Sequence, residues 1–207
     1  MLYTRKGDTG TTKTFNMPQG VRVSKSSCQT EALGTLDELN SFLGYVKVVA
    51  SRARLVAYGI DYEKIIHGIQ KNLFIVQAEL AGAPKSISEE KVQRVEAIID
   101  DLEKKMPPIK SFFISGGTDI AALLDVSRTI ARRAERAVVR HNEEVVEAGN
   151  LPMPPVPEGG VLSAEDFAHP LKLHTMAYLN RLSSILYAMA RYANFHAGIT
   201  EEPPSYE

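Results

Sequence analysis

Apolar side chains recur at intervals of three and four residues along most of the chain, the spacing of helices that bury one face. The pattern predicts five helices, over residues 27–55, 62–81, 86–105, 120–146 and 170–196. Ser86 and Glu89 have the spacing of a capping box at the start of the third helix. No segment shows a convincing strand pattern. The chain is therefore predicted to be all-α, most simply a five-helix antiparallel bundle.

Two segments depart from this helical pattern. Residues 1–25 lack a sustained period and contain three glycines, so we expect an irregular functional loop there. Residues 149–160 contain four prolines and are expected to form an exposed loop. We predict one domain over residues 1–207, which includes the loop at 1–25 and a proline-rich insertion loop at 149–168.

Composition narrows the classes of function. Of 207 residues, 44% are hydrophobic and 24% charged, as in ordinary globular domains. The formal charge of -1 argues against a general nucleic-acid binder. A single cysteine, Cys28, excludes a disulfide framework within the chain and fits the reducing cytoplasm. No apolar run approaches the ~18 residues of a membrane span, and the polar N-terminus does not resemble a signal peptide.

The most informative stretch lies in the fourth predicted helix. Arg128, Arg132 and Glu135 are spaced at i, i+4 and i+7, so they share one face, with Arg136 beside them. Guanidinium groups along one stripe form a permanently charged clamp that suits phosphate oxygens. Taken alone, such a spacing more often marks a solvated basic helix face.

Residues 4–13 (TRKGDTGTTK) have the composition of an anion-binding loop. Glycines let backbone N–H groups approach an anion, while hydroxyl groups and cations bind it. The spacing is not that of a Walker A motif, and a solvated loop is the more common alternative. The turn at 115–118 (SGGT) either presents N–H groups to an anion or is a plain helix entry.

Three single residues also have two interpretations. Asp37 is either a solvated carboxylate or one half of a buried ion pair with an arginine. Asn180 either makes a structural hydrogen bond or belongs to a site, and a residue such as Phe112 is more often core than ligand-facing. The histidines and Cys28 show no metal-site spacing of the HExxH, Glu-x-x-His or Cys–His kind.

Six blocks, taken in order, closely resemble the PduO-type ATP:cob(I)alamin adenosyltransferases. They are residues 3–10 (YTRKGDTG), 32–44 (ALGTLDELNSFLG), 69–74 (IQKNLF), 115–118 (SGGT), 128–136 (RTIARRAER) and 178–183 (YLNRLS). The resemblance implies a ferritin-like five-helix bundle that forms a homotrimer with active sites between subunits. It also implies transfer of the 5′-deoxyadenosyl group of ATP to the cobalt of cob(I)alamin, with release of triphosphate.

The resemblance implies roles for individual residues as well. Asp37 and Arg128 would form an intersubunit ion pair at the active site, and Arg132 would act in both catalysis and ATP binding. Phe112 would contact the corrinoid and displace its lower axial ligand. The residues expected to bind ATP are Thr4, Arg5, Lys6, Gly7, Thr12, Lys13, Lys25, Arg132, Arg133, Glu135, Arg136 and Asn180.

By the same resemblance, ATP with Mg²⁺ and cobalamin would be bound, and a corrinoid reductase and an adenosylcobalamin-dependent mutase would be protein partners. Ser115, Asp125 and Ser184 stand where the family usually has proline, histidine and aspartate. Asp125 and Ser184 keep open a non-catalytic sensor or carrier of ATP or adenosylcobalamin. A structural bundle with a basic groove for a partner or RNA is a second alternative, which the near-neutral charge disfavours.

Overall fold

The structure, a computed structural model, describes residues 3–15, 22–52, 56–57, 60–147 and 171–206. The predicted insertion at 149–168 lies outside these residues. The five helices are α1 (Cys28–Arg52), α2 (Tyr62–Leu80), α3 (Glu89–Lys104), α4 (Asp119–Glu147) and α5 (Leu173–His196). Two antiparallel strand pairs accompany them, β1 (Thr11–Thr12) with β2 (Val23–Ser24), and β3 (Val56–Ala57) with β4 (Ile60–Asp61).

Contacts between helices fix their directions. The Tyr62 hydroxyl, at the start of α2, donates to the Met189 carbonyl late in α5, whereas Glu79 at the end of α2 contacts Thr175 early in α5. These helices are therefore antiparallel, and α1 is antiparallel to α4 for the same reason. α3 runs in the direction of α5. The predicted all-α, five-helix bundle is confirmed, and its neighbouring helices are antiparallel except for α3 and α5.

The predicted apolar positions form the core. Leu36, Leu39, Leu43 and Val46 of α1 are fully buried, because residues spaced by three and four lie on the inward face of a helix. Each of the other helices contributes a similar buried stripe to the same core. Among the described helices, none is both long and apolar enough to cross a membrane.

Two predicted helix starts and the absence of strands are wrong. Helix α3 begins three residues late, after Ser88, because residue Ile87 is buried and its N–H donates to the Thr175 hydroxyl at 3.2 Å. That bond holds the chain against α5, and the N-cap is Ser88, which makes no side-chain capping bond, instead of the predicted Ser86. Helix α5 begins at Leu173, not at residue 170. The strand pairs are two residues long, too short to produce an alternating pattern.

The first turn of α5 is capped by a carboxylate from α2. Lys172, the N-cap residue, makes no side-chain capping bond. Its backbone N–H instead donates to Glu79 Oε1 at 2.7 Å, and the Thr175 hydroxyl donates to Oε2 at 2.5 Å. Glu79 is 8% exposed. A buried negative charge is stable here because it faces the positive end of a helix and accepts two hydrogen bonds.

Replacing Glu79 with alanine is therefore expected to lower the free energy of unfolding by about 2–4 kcal/mol, since the partners of a charged acceptor lose their hydrogen bonds. Urea denaturation monitored by circular dichroism measures this change. The control is Lys71→Ala on the exposed side of α2, for which a change within about 0.5 kcal/mol is expected. Equal midpoints for the two variants would contradict the capping role.

Candidate active site

The N-terminal loop is a tight turn that closes on Lys25. The Asp8 N–H donates to the Arg5 carbonyl at 3.3 Å, and the Gly10 N–H donates to the Gly7 carbonyl at 3.2 Å. Lys25 donates from its N–H to the Gly10 carbonyl at 2.9 Å and from Nζ to the Gly7 carbonyl at 3.0 Å. A Cβ on Gly7 would lie 3.1 Å from that Nζ. The structure thus brings Lys25 to the glycine loop.

The other loop residues expected to bind ATP face solvent. Thr4, Arg5, Lys6 and Lys13 are exposed, and Thr12 is partly buried in β1. Arg5 has φ 59°, a left-handed conformation that is uncommon outside glycine. The loop therefore presents three cationic side chains to solvent, where an anion can contact them, whereas the Asp8 and Gly10 N–H groups donate to carbonyls within the turn.

The charged stripe of α4 continues onto α5. Asn180 Nδ2 donates to Glu135 Oε1 at 2.9 Å, and Arg181 Nη1 donates to Asn180 Oδ1 at 2.8 Å. These two bonds fix the orientation of the Asn180 amide. Arg132 and Arg136 are exposed on the same stripe. The predicted neighbours Glu135 and Asn180 are thus in contact, although they are 45 residues apart.

Arg133 forms an ion pair with Glu38 of α1, a residue that the sequence pattern did not single out. Their side chains are 50% and 54% exposed, and ion pairs between exposed groups contribute little to stability. We expect Glu38→Gln to change the free energy of unfolding by less than about 0.5 kcal/mol, as for the control Glu143→Gln on α4. Urea denaturation measures both, and a loss above about 1 kcal/mol for Glu38→Gln alone would contradict this.

Arg128 lies one turn before Arg132 in α4 and is partly buried. Its Nε is 3.2 Å from Asp125 Oδ1, and its guanidinium carbon is 5.8 Å from the centre of the Tyr187 ring. Asp37 is exposed and makes no hydrogen bond or ion pair with another described residue. Within the chain Arg128 therefore pairs with Asp125, and its pairing with Asp37 of another subunit stays a prediction.

Phe112 is 82% exposed, so it does not belong to the core of the chain. It stands at the rim of a cavity of about 710 Å³ together with Arg128 and Arg132. The other lining residues are Ile109, Lys110, Ser111, Phe113, Ile114, Ser115, Asp125, Ser183, Ser184, Tyr187, Ala190, Arg191 and Glu201. The cavity thus has an apolar side formed by the loop and a cationic side formed by α4. All three departures from the family pattern lie in its wall.

A second cavity of about 610 Å³ lies beside the first, between the end of α3 and α5. Both cavities are lined by Ile109, Ser184, Tyr187 and Arg191. Burial raises the pKa of Tyr187, and the positive charge of Arg191 opposes the shift. The Tyr187 hydroxyl is therefore neutral at pH 7 and can donate a hydrogen bond between the two cavities.

The predicted site residues form two groups. One is the N-terminal loop with Lys25, and the other is the stripe of α4 with Asn180 and the cavity that contains Phe112. No hydrogen bond or ion pair joins the two groups in the described ranges of the chain. The same ranges contain no cluster of three or more His, Cys, Asp or Glu residues that would hold a metal ion.

Sequence reasoning missed three polar residues beside the cavity, namely Arg191, Asn194 and Glu201. Arg191 and Asn194 are 7% and 5% exposed within the apolar second half of α5. Their signal in the sequence is two polar residues spaced by three on a face that is otherwise apolar. Glu201 follows the last helix and has no periodic signal, because its contacts are made across the fold.

The chain is similar to known proteins of one family. The family model described as cobalamin adenosyltransferase matches residues 2–193. The corrinoid adenosyltransferase PduO of Citrobacter freundii is 36% identical over 197 residues, which are 92% of this chain and 49% of the relative. The chain thus spans about half the length of this relative. A second corrinoid adenosyltransferase of Citrobacter freundii is 34% identical, with 92% of this chain and 93% of the relative covered.

A solved structure gives the same result for the fold. It is a variant of the PduO-type ATP:corrinoid adenosyltransferase of Lactobacillus reuteri, complexed with cobalamin and ATP. This chain matches it with a TM-score of 0.76 and 26% identity, covering 100% of this chain and 97% of the other.

Proposed function

Because the chain belongs to the cobalamin adenosyltransferase family, we propose that it transfers the 5′-deoxyadenosyl group of ATP to cob(I)alamin or a related corrinoid. The Co(I) electron pair forms the bond to C5′ of ATP, and the C5′–O bond breaks with its electrons leaving on triphosphate. The observation that carries the proposal is the cavity lined by exposed Phe112 together with Arg128 and Arg132. It combines an apolar surface for a corrin ring with cations for phosphates.

This reaction needs no protein base, because cob(I)alamin is itself the nucleophile. The tasks of the protein are to align C5′ with cobalt and to stabilise the charge that develops on triphosphate. The residues proposed to bind ATP include the exposed cations that the second task requires. They are Thr4, Arg5, Lys6, Gly7, Thr12, Lys13, Lys25, Arg132, Arg133, Glu135, Arg136 and Asn180.

Phe112 is proposed to contact the corrinoid. An aromatic side chain on the lower face of the corrin would displace the axial ligand and exclude water, which a polar side chain would do less well. Four-coordinate cobalt is then easier to reduce to Co(I). The exposure of Phe112 supports this role together with that of Ile109 and Ile114, because the three exposed side chains line one cavity and give it an apolar surface that a corrin ring can cover.

Mg²⁺ is proposed to bind with ATP. It prefers oxygen ligands and neutralises phosphate charge. Glu135 fits this requirement as a carboxylate on the arginine stripe, and it is the residue that would hold the ion. Its carboxylate keeps a second oxygen, Oε2, beyond the one that accepts from Asn180.

We further propose a homotrimer with each active site shared between two subunits. Among the described residues, no hydrogen bond or ion pair joins the loop to the stripe, and Asp37 has no ionic partner. Tyr45, Val48 and Phe74 are 57%, 43% and 62% exposed on α1 and α2, so these helices present an apolar surface for association. The molar mass in solution is measured by light scattering. The mass of three chains would support the trimer, and the mass of one chain would contradict it.

The proposed location is the cytoplasm, where a free thiol such as Cys28 stays reduced. A corrinoid reductase would supply Co(I) there, and an adenosylcobalamin-dependent mutase would receive the product. The sensor or carrier is the second candidate, because Asp125 and Ser184 lie in the cavity wall itself. An anaerobic assay with chemically reduced cob(I)alamin and ATP decides between them. Tight adenosylcobalamin binding without turnover would favour the carrier.

A further inference from the structure

The loop that carries Phe112 is fastened, in the segment that follows this residue, by buried polar groups that the proposed reaction does not use. In the described part of the chain, residues 107–117 make one hydrogen bond between backbone groups, from the Ile114 N–H to the Glu202 carbonyl at 2.9 Å. The loop therefore has almost no hydrogen bonding of its own. What holds it must come from α5 and from residues 199–202, which we call the tail.

The first attachment is an ion pair under the loop. Arg191 Nε donates to Glu201 Oε2 at 2.8 Å, and the two side chains are 8% and 15% exposed. The guanidinium carbon of Arg191 is 4.8 Å from the centre of the Phe113 ring. One buried arginine thus joins the tail to the residue next to Phe112 through a charge pair and a cation–π contact.

The second attachment is Asn194, which is 5% exposed. Its Oδ1 accepts from the Thr118 N–H at 3.0 Å, and its Nδ2 donates to the Gly116 carbonyl at 2.9 Å. Nδ2 also lies 3.3 Å from Glu201 Oε1. The amide therefore bridges the loop and the tail.

Gly117 leaves the space that this bridge requires. Its φ is +98°, and a Cβ there would lie 2.3 Å from Asn194 Oδ1. Glycine is thus required both by the backbone conformation and by the close approach of the amide. From the sequence, the turn with Gly116 and Gly117 is interpreted as either an anion-binding turn or a helix entry. In the structure, the Asn194 side chain packs against Gly117 and donates a hydrogen bond to the Gly116 carbonyl.

We propose that Arg191, Asn194 and Glu201 are positioning residues that hold Phe112 at the cavity. The inference rests on the proposed function, because a held aromatic wall matters only if a corrinoid binds against it. A loop with one backbone hydrogen bond would otherwise sample many conformations, and the corrinoid would have to order it on binding. The buried ion pair and the hydrogen bonds of Asn194 hold the loop in one conformation before the corrinoid binds.

The test compares Glu201→Ala with Glu202→Ala. Both remove a carboxylate from the tail, but the Glu202 side chain makes no hydrogen bond or ion pair with a described residue and its carbonyl is retained. Hydrogen exchange of the substrate-free protein reports on the Ile114 and Thr118 amides. We expect exchange about tenfold faster in Glu201→Ala and unchanged in Glu202→Ala. Equal exchange in the two variants would overturn the inference.

The second readout separates positioning from general stability. With cob(II)alamin and ATP bound, Glu201→Ala is expected to show less of the four-coordinate spectrum and a lower kcat, with the KM for ATP unchanged. Arg191→Lys keeps the charge but loses the planar group over Phe113, so a smaller change in the same direction is expected. It serves as the test variant if Glu201→Ala does not fold.

Faster exchange with unchanged spectrum and kcat would overturn the role in positioning Phe112. If the unaltered protein forms no adenosylcobalamin, the proposed function fails. The exchange comparison then decides alone whether these three residues hold the loop.

Discussion

Replacing Arg132 with alanine is expected to lower kcat/KM for ATP about 10- to 150-fold, with a higher KM and a lower kcat. A charge-assisted hydrogen bond to phosphate is worth about 1.5–3 kcal/mol, which corresponds to that range. Arg132 is exposed on α4, lines the cavity with Phe112, and makes no ion pair with another described residue. Its charge is therefore available to the triphosphate, both bound and departing.

Steady-state kinetics of adenosylcobalamin formation measures the effect. Arg132→Lys keeps the charge but not the planar fork, so an intermediate loss is expected. Arg140→Ala is the matched control, because Arg140 is exposed two turns farther along α4 and does not line the cavity. If Arg132→Ala and Arg140→Ala have the same kcat and the same KM for ATP, the proposed role of Arg132 is contradicted.

Replacing Phe112 with alanine is expected to leave ATP binding intact and to lower kcat about 10- to 100-fold. A phenylalanine that becomes buried on binding contributes about 1.5–3 kcal/mol, and here that contact would be made with the corrin. The four-coordinate cob(II)alamin spectrum should decrease in parallel, because water or the lower ligand regains access to cobalt.

Electronic spectra of cob(II)alamin with ATP and protein give the fraction of four-coordinate species. Phe112→Leu retains part of the apolar surface and should give an intermediate fraction. The control is Phe195→Ala, which removes a phenylalanine that is 47% exposed on α5 outside both cavities. An undiminished four-coordinate fraction in Phe112→Ala would show that another group displaces the ligand.

The helices and the charged stripe were predictable because both follow from local periodicity. Arg128, Arg132 and Glu135 must share a face on any helix, and Leu36, Leu39 and Leu43 must lie together on another. The start of α3 was not predictable in this way. It depends on Ile87 being buried against Thr175, a residue 88 positions later.

The wall of the cavity was not predictable either, because it also depends on residues that are far apart in the sequence. The resemblance singled out Phe112, but its surroundings are formed by contacts between distant parts of the chain. Examples are the hydrogen bond from the Asn194 amide to the Gly116 carbonyl and the ion pair between Arg191 and Glu201. Periodicity carries no information about such pairs. The proposed Asp37–Arg128 ion pair is even less accessible to local periodicity, because it would form only between two subunits.

An anaerobic assay that mixes the purified protein with chemically reduced cob(I)alamin and MgATP tests the central claim most directly. Adenosylcobalamin is followed by its absorbance and triphosphate is quantified in the same samples. The account predicts ATP-dependent formation of adenosylcobalamin with one triphosphate released per product. Binding of ATP and corrinoid without product would contradict it in favour of a carrier. If the protein shows no binding and forms no product, the arginine stripe is a solvated helix face without a role in catalysis.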